Sequence, residues 1–316
     1  MNGPRELRLT VGRRTTVALG VVEFELRPVD GGELPSWCPG AHIDVVTETG
    51  IVRQYSLCGD PGDRTGYRIA VLRQADGRGG SAWLHDRLHE GDRILVSGPR
   101  NHFPLETGPG YVFLAGGIGI TPLLAMVRRV AADGADWTLH YGGRTRASMA
   151  YVDDLQAIDA SRVRLFPFDE CGLIDLDSAL GDVDREAYVY CCGPEPLIDA
   201  VEAVCARRGM RPRTERFSPR DIDSSFTDSP FTVRIASTGA DLTVPADRSI
   251  VDVLIEAGVD VLTSCEEGTC GTCETGVLDG RPDHRDSVLT EEEQAAGDRI
   301  LPCVSRSHTP QLVLDL

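Results

Sequence analysis

Ser264-Cys265-Glu266-Glu267-Gly268-Thr269-Cys270-Gly271-Thr272-Cys273, completed downstream by Leu301-Pro302-Cys303-Val304, decides how the C-terminal third of this chain folds. The cysteines follow C-x4-C-x2-C, then twenty-nine residues, then C, the spacing of a plant-type [2Fe–2S] site. Cys265, Cys270 and Cys273 come from one tight loop and Cys303 from a distant segment, so a cluster would also staple the domain. Gly268, Thr269, Gly271 and Thr272 are small enough for backbone N–H groups to turn inward toward sulfur. Zinc is the competing use of four thiolates, but zinc sites usually pair two C-x2–4-C units, and the second half here is a single cysteine. A disulfide framework does not suit a chain whose first residues, Met1-Asn2-Gly3-Pro4-Arg5, carry no secretory apolar core.

Working outward, 316 residues of ordinary hydrophobic content make two or three domains. No run of eighteen apolar residues exists, so no membrane span is expected, and ten cysteines fit a reducing, cytoplasmic setting. All thirty-two basic residues are arginine. The net charge of −17 argues against nucleic acid as a partner. From Pro230 onward sixteen acids face six arginines, a net of −10. That excess is either a solvated face or an acidic docking surface that steers a protein electron acceptor.

The first hundred residues alternate in short runs at 7–11, 17–26, 42–47, 51–57, 67–72 and 93–97, separated by Gly, Pro and Asp, which predicts a small antiparallel barrel. A short helix is expected at 81–88. From Gly108 the pattern becomes strand–helix alternation, which predicts a doubly wound parallel sheet. A polar stretch, 218–229, reads as a tether, followed by a hairpin, a helix at 250–257 and the cysteine loop. The expected domains are 5–106, 107–218 and 230–316, with a linker at 219–229.

Three motifs carry the remaining chemistry. Arg53-Gln54-Tyr55-Ser56 ends a strand, and Gly77-Arg78-Gly79-Gly80-Ser81 leads into a helix, where free N–H groups and the helix dipole suit a phosphate. Gly116-Gly117-Ile118-Gly119-Ile120-Thr121-Pro122 joins a strand to a helix: Gly117 and Gly119 admit a pyrophosphate, and Thr121 is expected to cap the helix. Cys191-Cys192-Gly193-Pro194 ends a later strand at the same sheet edge, where ligands of such sheets bind. Each is weak alone.

Taken in this fixed order, and with Pro99-Arg100-Asn101, Asp283-His284-Arg285-Asp286 and the terminal Leu-Val-Leu-Asp-Leu, the chain resembles the phthalate dioxygenase reductase family over essentially its whole length. The resemblance implies an FMN-binding β-barrel, an NAD(P)H-binding α/β domain and a C-terminal β-grasp ferredoxin. It implies FMN contacts from Arg53, Gln54, Tyr55, Ser56, Val71, Leu72, Gly79, Gly80, Ser81 and Thr121. It implies nucleotide contacts from Gly117, Gly119, Arg144, Cys192, Gly193 and Pro194. Thr121, Cys192 and Phe217 would lie near the nicotinamide or flavin, although Phe217 could equally be a core residue of the last strand. Cys265, Cys270, Cys273 and Cys303 would hold the iron.

The implied activity is an oxidoreductase that passes electrons from NADH through FMN to the [2Fe–2S] cluster and on to an oxygenase, either of Rieske type or a cytochrome P450. No catalytic residue beyond the cofactors is needed. The alternatives are an FAD enzyme of the ferredoxin–NADP reductase kind, and a non-catalytic electron-transfer or redox-sensing subunit. NADPH is the alternative donor, because Arg144 and Arg146 could pair with a 2′-phosphate.

Overall fold

The computed structural model describes residues 6–74, 79–219 and 228–316. The expected phosphate-site residues Gly77 and Arg78 lie outside them, as does most of the expected linker. The chain divides into two compact units, Met1–Glu215 and Arg216–Leu316.

The first unit opens with β1 (Glu6–Ala18), β2 (Val21–Pro28), β3 (His42–Val46), β4 (Val52–Ser56), β5 (Tyr67–Leu72), α1 (Gly80–Arg87) and β6 (Arg93–Arg100). The strands form one antiparallel sheet in the order β4-β3-β6-β1-β2-β5, and a bridge between Leu57 and Ile69 joins its two edges into a barrel. Along β2 the alternation is visible: Val22, Phe24 and Leu26 are buried while Glu23 and Glu25 face outward. The expected single strand at 17–26 is cut in two, because the chain turns at Leu19 and Gly20 and pairs Ala18 with Val21. Leu19 belongs to that turn and is 70% exposed, so its apolar character carried no strand information.

The same unit continues with β7 (Tyr111–Gly116), α2 (Ile120–Ala132), β8 (Trp137–Gly143), α3 (Val152–Asp159), β9 (Val163–Pro167), two short turns of helix, α4 (Phe168–Cys171) and α5 (Leu176–Ala179), then β10 (Tyr188–Cys192), α6 (Glu195–Arg208) and β11 (Pro212–Glu215). The sheet is parallel throughout, in the order β11-β10-β7-β8-β9. Every residue of the central β7 is buried, as expected of a strand covered on both faces. Nine of the thirteen residues of α2 are buried as well. They pack with Val21, Cys58 and Ala70 of the barrel as well as with the sheet, so Pro122–Val127 reads as an unbroken apolar run rather than an amphipathic one.

The second unit contains β12 (Phe231–Ile235), β13 (Asp241–Val244), α7 (Ile250–Glu256), β14 (Thr275–Asp279), β15 (Pro282–Asp283), α8 (Glu291–Ala296), β16 (Arg299–Ile300), β17 (Arg306–Ser307) and β18 (Gln311–Leu314). Its main sheet runs β13-β12-β18-β14-β16, with β12 and β18 parallel and the other pairs antiparallel. A capping box between Ser249 and Asp252 starts α7, whose Ile250, Val253 and Leu254 enter the sheet core. This is the β-grasp arrangement of a ferredoxin. Arg285 pairs with both Asp228 (2.6 Å) and Asp283 (2.7 Å), so Asp283 helps to support this unit.

Candidate functional site: a flavin and nucleotide crevice and an iron–sulfur loop

The strand order reverses between β7 and β10, and parallel sheets bind ligands in the crevice above such a switch point. The turn after β7 is a single 3-10 turn at Gly117–Gly119, and Gly193-Pro194 follows Cys192, the last residue of β10. The two turns lie back to back. A Cβ on Gly119 would sit 2.2 Å from the carbonyl oxygen of Cys192, and one on Gly193 would sit 2.9 Å from Gly116 Cα. Gly119 therefore serves loop-to-loop packing, whereas Gly117 (φ +54°) has no atom within 4 Å of where a Cβ would be and faces open space. Only Gly117 has the room expected of both glycines.

Thr121 is buried but does not cap α2. Gly119 occupies the cap position without a side-chain bond, and the Thr121 hydroxyl donates to the Ile118 carbonyl at 2.9 Å. The hydroxyl is used inside the first turn, so it holds the glycine turn in shape. Arg144 is exposed just beyond β8. Arg146, expected beside it, instead lines a cleft of about 390 Å³ with Val17, Tyr151, Asp153 and Asp154, whose carboxylates would repel a phosphate.

On the barrel side, β4 and the start of α1 come together. A Cβ on Gly80 would meet the Arg53 side chain at 2.7 Å, so the Arg53 stem lies across the helix N-terminus. Gly79 and Gly80 open the eight-residue α1, and Ser81 Oγ accepts from the Gln74 backbone at 3.2 Å. Arg53, Gly79, Gly80 and Ser81 thus form one cradle whose N–H groups and guanidinium fit a phosphate. Tyr55 is half-buried against the barrel core, and desolvation there pushes its hydroxyl well above the ordinary value. Strand alternation sends Gln54 to the opposite face, where it donates to Asp44 at 2.9 Å. Val71 is fully buried in the barrel and its carbonyl bonds His85 at 2.8 Å, while Leu72 is half-buried against the α/β core.

One further residue of the crevice escaped the sequence reading. Glu215, the last residue of β11, pairs in register with Cys192, hydrogen-bonds the buried Ser56 and lies 4.0 Å from the Cys192 sulfur. Enclosure by protein pushes its carboxyl up to about 8, the Ser56 bond offsetting part of that rise. Burial also raises the Cys192 thiol well above its ordinary value, so a neutral Cys–Ser–Glu cluster lines the crevice. Neighbouring bonds hold the geometry. Arg213 grips Glu106 at 2.7 and 2.8 Å and stacks 3.9 Å above the Tyr188 ring, and Tyr190 donates to the Pro104 carbonyl at 3.0 Å. The signal in the sequence was Glu215-Arg216-Phe217, of which only the aromatic was singled out. Phe217 lies beyond β11 in the second unit and is 43% exposed, so it is not a strand core residue.

In the second unit the four cluster cysteines form two pairs. Cys273 and Cys303 are 3.3 Å apart, and Cys270 hydrogen-bonds Cys265, lowering the latter to about 5. No three metal-ligating side chains converge on a single point among the described residues. Two thiolate pairs suit two irons better than one tetrahedral zinc. Backbone N–H groups of Glu267 and Thr272 donate to Cys265 and Cys270, each at 3.3 Å, as the small loop residues foretold. Cys273 and Cys303 pack with Val251, Leu289 and Leu301, while Cys265 is only half-buried.

Comparison with known proteins agrees with this geometry. Residues 233–308 match the 2Fe-2S iron-sulfur cluster binding domain family, and residues 113–203 match the oxidoreductase NAD-binding domain family. Phthalate dioxygenase reductase of Burkholderia cepacia is 38% identical over 100% of both chains. The chain belongs to the phthalate dioxygenase reductase family. The beta subunit of phenoxybenzoate dioxygenase from Ectopseudomonas oleovorans is 44% identical, covering 94% of this reductase and 93% of that protein. An intact type IV self-sufficient cytochrome P450 monooxygenase superposes with a TM-score of 0.92 at 41% identity, over 98% of this chain and 41% of its own longer one. The reductase is an NADH-dependent iron–sulfur flavoprotein that delivers electrons to an oxygenase, with FMN and a [2Fe–2S] cluster as its cofactors. No helix among its described residues is long and apolar enough to cross a membrane.

Proposed function

We propose that NADH binds along the crevice between β7 and β10, with its pyrophosphate over Gly117 and its nicotinamide beside Cys192-Gly193-Pro194, and that FMN anchors its phosphate in the Arg53–Gly80 cradle. The observation that carries this assignment is the meeting of Ser56, Cys192 and Glu215 in one enclosed cluster. It joins the barrel strand that ends at the flavin motif to the sheet edge that carries the nucleotide motif. Thr121 shapes the glycine turn. FMN and the cluster, when bound, supply the exchange between a hydride and single electrons. The protein's share is placement, exclusion of water and a neutral carboxyl at the reacting face.

Glu215 gives the first test. Its carboxyl is raised, so it is protonated below about pH 8 and charged above. A negative charge beside the reacting rings opposes the arrival of a hydride, so the rate of flavin reduction by NADH should fall several-fold as pH rises through about 8. Glu215→Gln should hold the low-pH rate across that range. A wild-type profile that is flat through pH 9 removes Glu215 from the reaction.

The three domains we assign are 5–106, 107–218 and 230–316. The acceptor is a Rieske oxygenase or a cytochrome P450, and it docks on the acidic ferredoxin face around the cluster loop. There Asp260, Leu262 and Glu266 are exposed beside the half-buried Cys265, an apolar centre with an acidic rim. Glu266→Lys should lower kcat/KM for the protein acceptor several-fold at low salt, with the difference shrinking as ionic strength rises, and should leave NADH-driven ferricyanide reduction unchanged. Equal loss with both acceptors would point elsewhere. None of the ten cysteines forms a disulfide, which supports a cytoplasmic location.

A further inference from the structure

Asp286 is fully buried in the second unit. Its Oδ1 accepts the backbone N–H groups of Val288 (3.0 Å) and Leu289 (2.7 Å), a turn that delivers Leu289 into the apolar cluster around Cys273 and Cys303. Its Oδ2 has no hydrogen-bond partner. The residue presses on the cysteine loop: a Cβ on Gly268 would lie 3.2 Å from Asp286 Cα and 3.4 Å from its Cβ, and the Ser287 N–H donates to the Gly268 carbonyl at 2.8 Å.

The adjacent guanidinium does not pair with it. Arg285 turns away to Asp228 and Asp283. The nearest basic atom, His284 Nδ1, stands 3.8 Å from Oδ2, too far for a hydrogen bond, and His284 is itself buried with both ring nitrogens unpartnered. Glu274, which follows Cys273, has Arg299 at 3.2 Å to offset it. Burial alone would push the Asp286 carboxyl up, but His284 and the Leu289 and Val288 N–H groups hold it below its ordinary value, so it stays ionised.

We propose that Asp286 is a tuning residue for the iron–sulfur site, a dry negative charge against the cysteine loop that lowers the cluster's reduction potential. Reduction adds one electron to the cluster, and a nearby anion in a low-dielectric surround opposes that step. The residue thereby keeps the reduced cluster a strong one-electron donor to the acceptor's metal centre. Asp286→Asn preserves the acceptor oxygen that caps the turn and removes only the charge.

The test is a dithionite titration of the full-length reductase with redox mediators, following the cluster by its EPR signal and the flavin by absorbance. The Asn variant should shift the cluster's reduction equilibrium about tenfold toward the reduced form, 59 mV for a one-electron couple, with the flavin potentials unmoved. An unchanged cluster potential at full iron content, or equal shifts of cluster and flavin, overturns the proposal. If the Asn variant does not retain the cluster, Asp286→Ser, whose hydroxyl can accept the same two N–H groups, takes its place. If neither retains it, Asp286 is only a structural support of the loop and the proposal falls.

Discussion

Serine in place of Cys273 should abolish electron delivery to a protein acceptor while leaving reduction of the flavin by NADH intact. Cys273 is 3% exposed, pairs with Cys303 at 3.3 Å and sits among Leu289, Leu301 and Val251. A serine hydroxyl ionises far less readily than a thiol, so the buried site would lose one of its four thiolate ligands. Outer-shell changes alone cost metal sites 10–100-fold, and loss of a direct ligand should lower acceptor turnover by at least about 100-fold. In the proposed scheme the hydride step uses the crevice of the first unit and precedes the cluster. Stopped-flow traces of flavin bleaching should therefore overlay those of the parent protein. Bleaching that slows in parallel, in a variant with unchanged circular dichroism, would mean that the cofactors do not act in series.

Alanine at Gly119 should be nearly as damaging at the opposite end of the electron path. The new methyl would stand 2.2 Å from the Cys192 carbonyl oxygen and 2.7 Å from the Gly193 nitrogen. Both obstacles are backbone, so no flexible side chain can yield. The turns after β7 and β10 must separate, at a cost of about 1–3 kcal/mol in stability. Displacement of a substrate-positioning loop by about 1 Å can cost 10²-fold, and a fall of that size is expected in kcat/KM for NADH. Gly117→Ala is the informative control. It meets nothing within 4 Å, and its penalty is the positive φ, about 1–2 kcal/mol, without a steric wedge between the loops. Thermal melts together with NADH kinetics separate the two. A Gly119→Ala protein as stable and as fast as its parent would show that the loops are not locked together.

These results divide what is local from what is not. The cysteine spacing declares a two-iron site because three ligands share one short loop, and loop chemistry is written in consecutive residues. The strand–helix alternation after Gly108 and the short alternating runs before it declare a parallel sheet and a barrel for the same reason: periodicity is a near-neighbour property. Acidic composition is likewise additive along the chain. Tertiary structure decided the rest. It spent Gly119 on packing against Cys192 and left Gly117 open, although both belong to one motif. It turned the Thr121 hydroxyl back to Ile118 instead of to a helix cap, and it set Arg146 among carboxylates. It brought Ser56, Cys192 and Glu215, remote in sequence, into one enclosure, and it buried Asp286 against the cysteine loop. A residue's type sets what it can donate, accept or ionise, but whether water reaches it, and which distant group stands opposite, is set only when the sheets close over it.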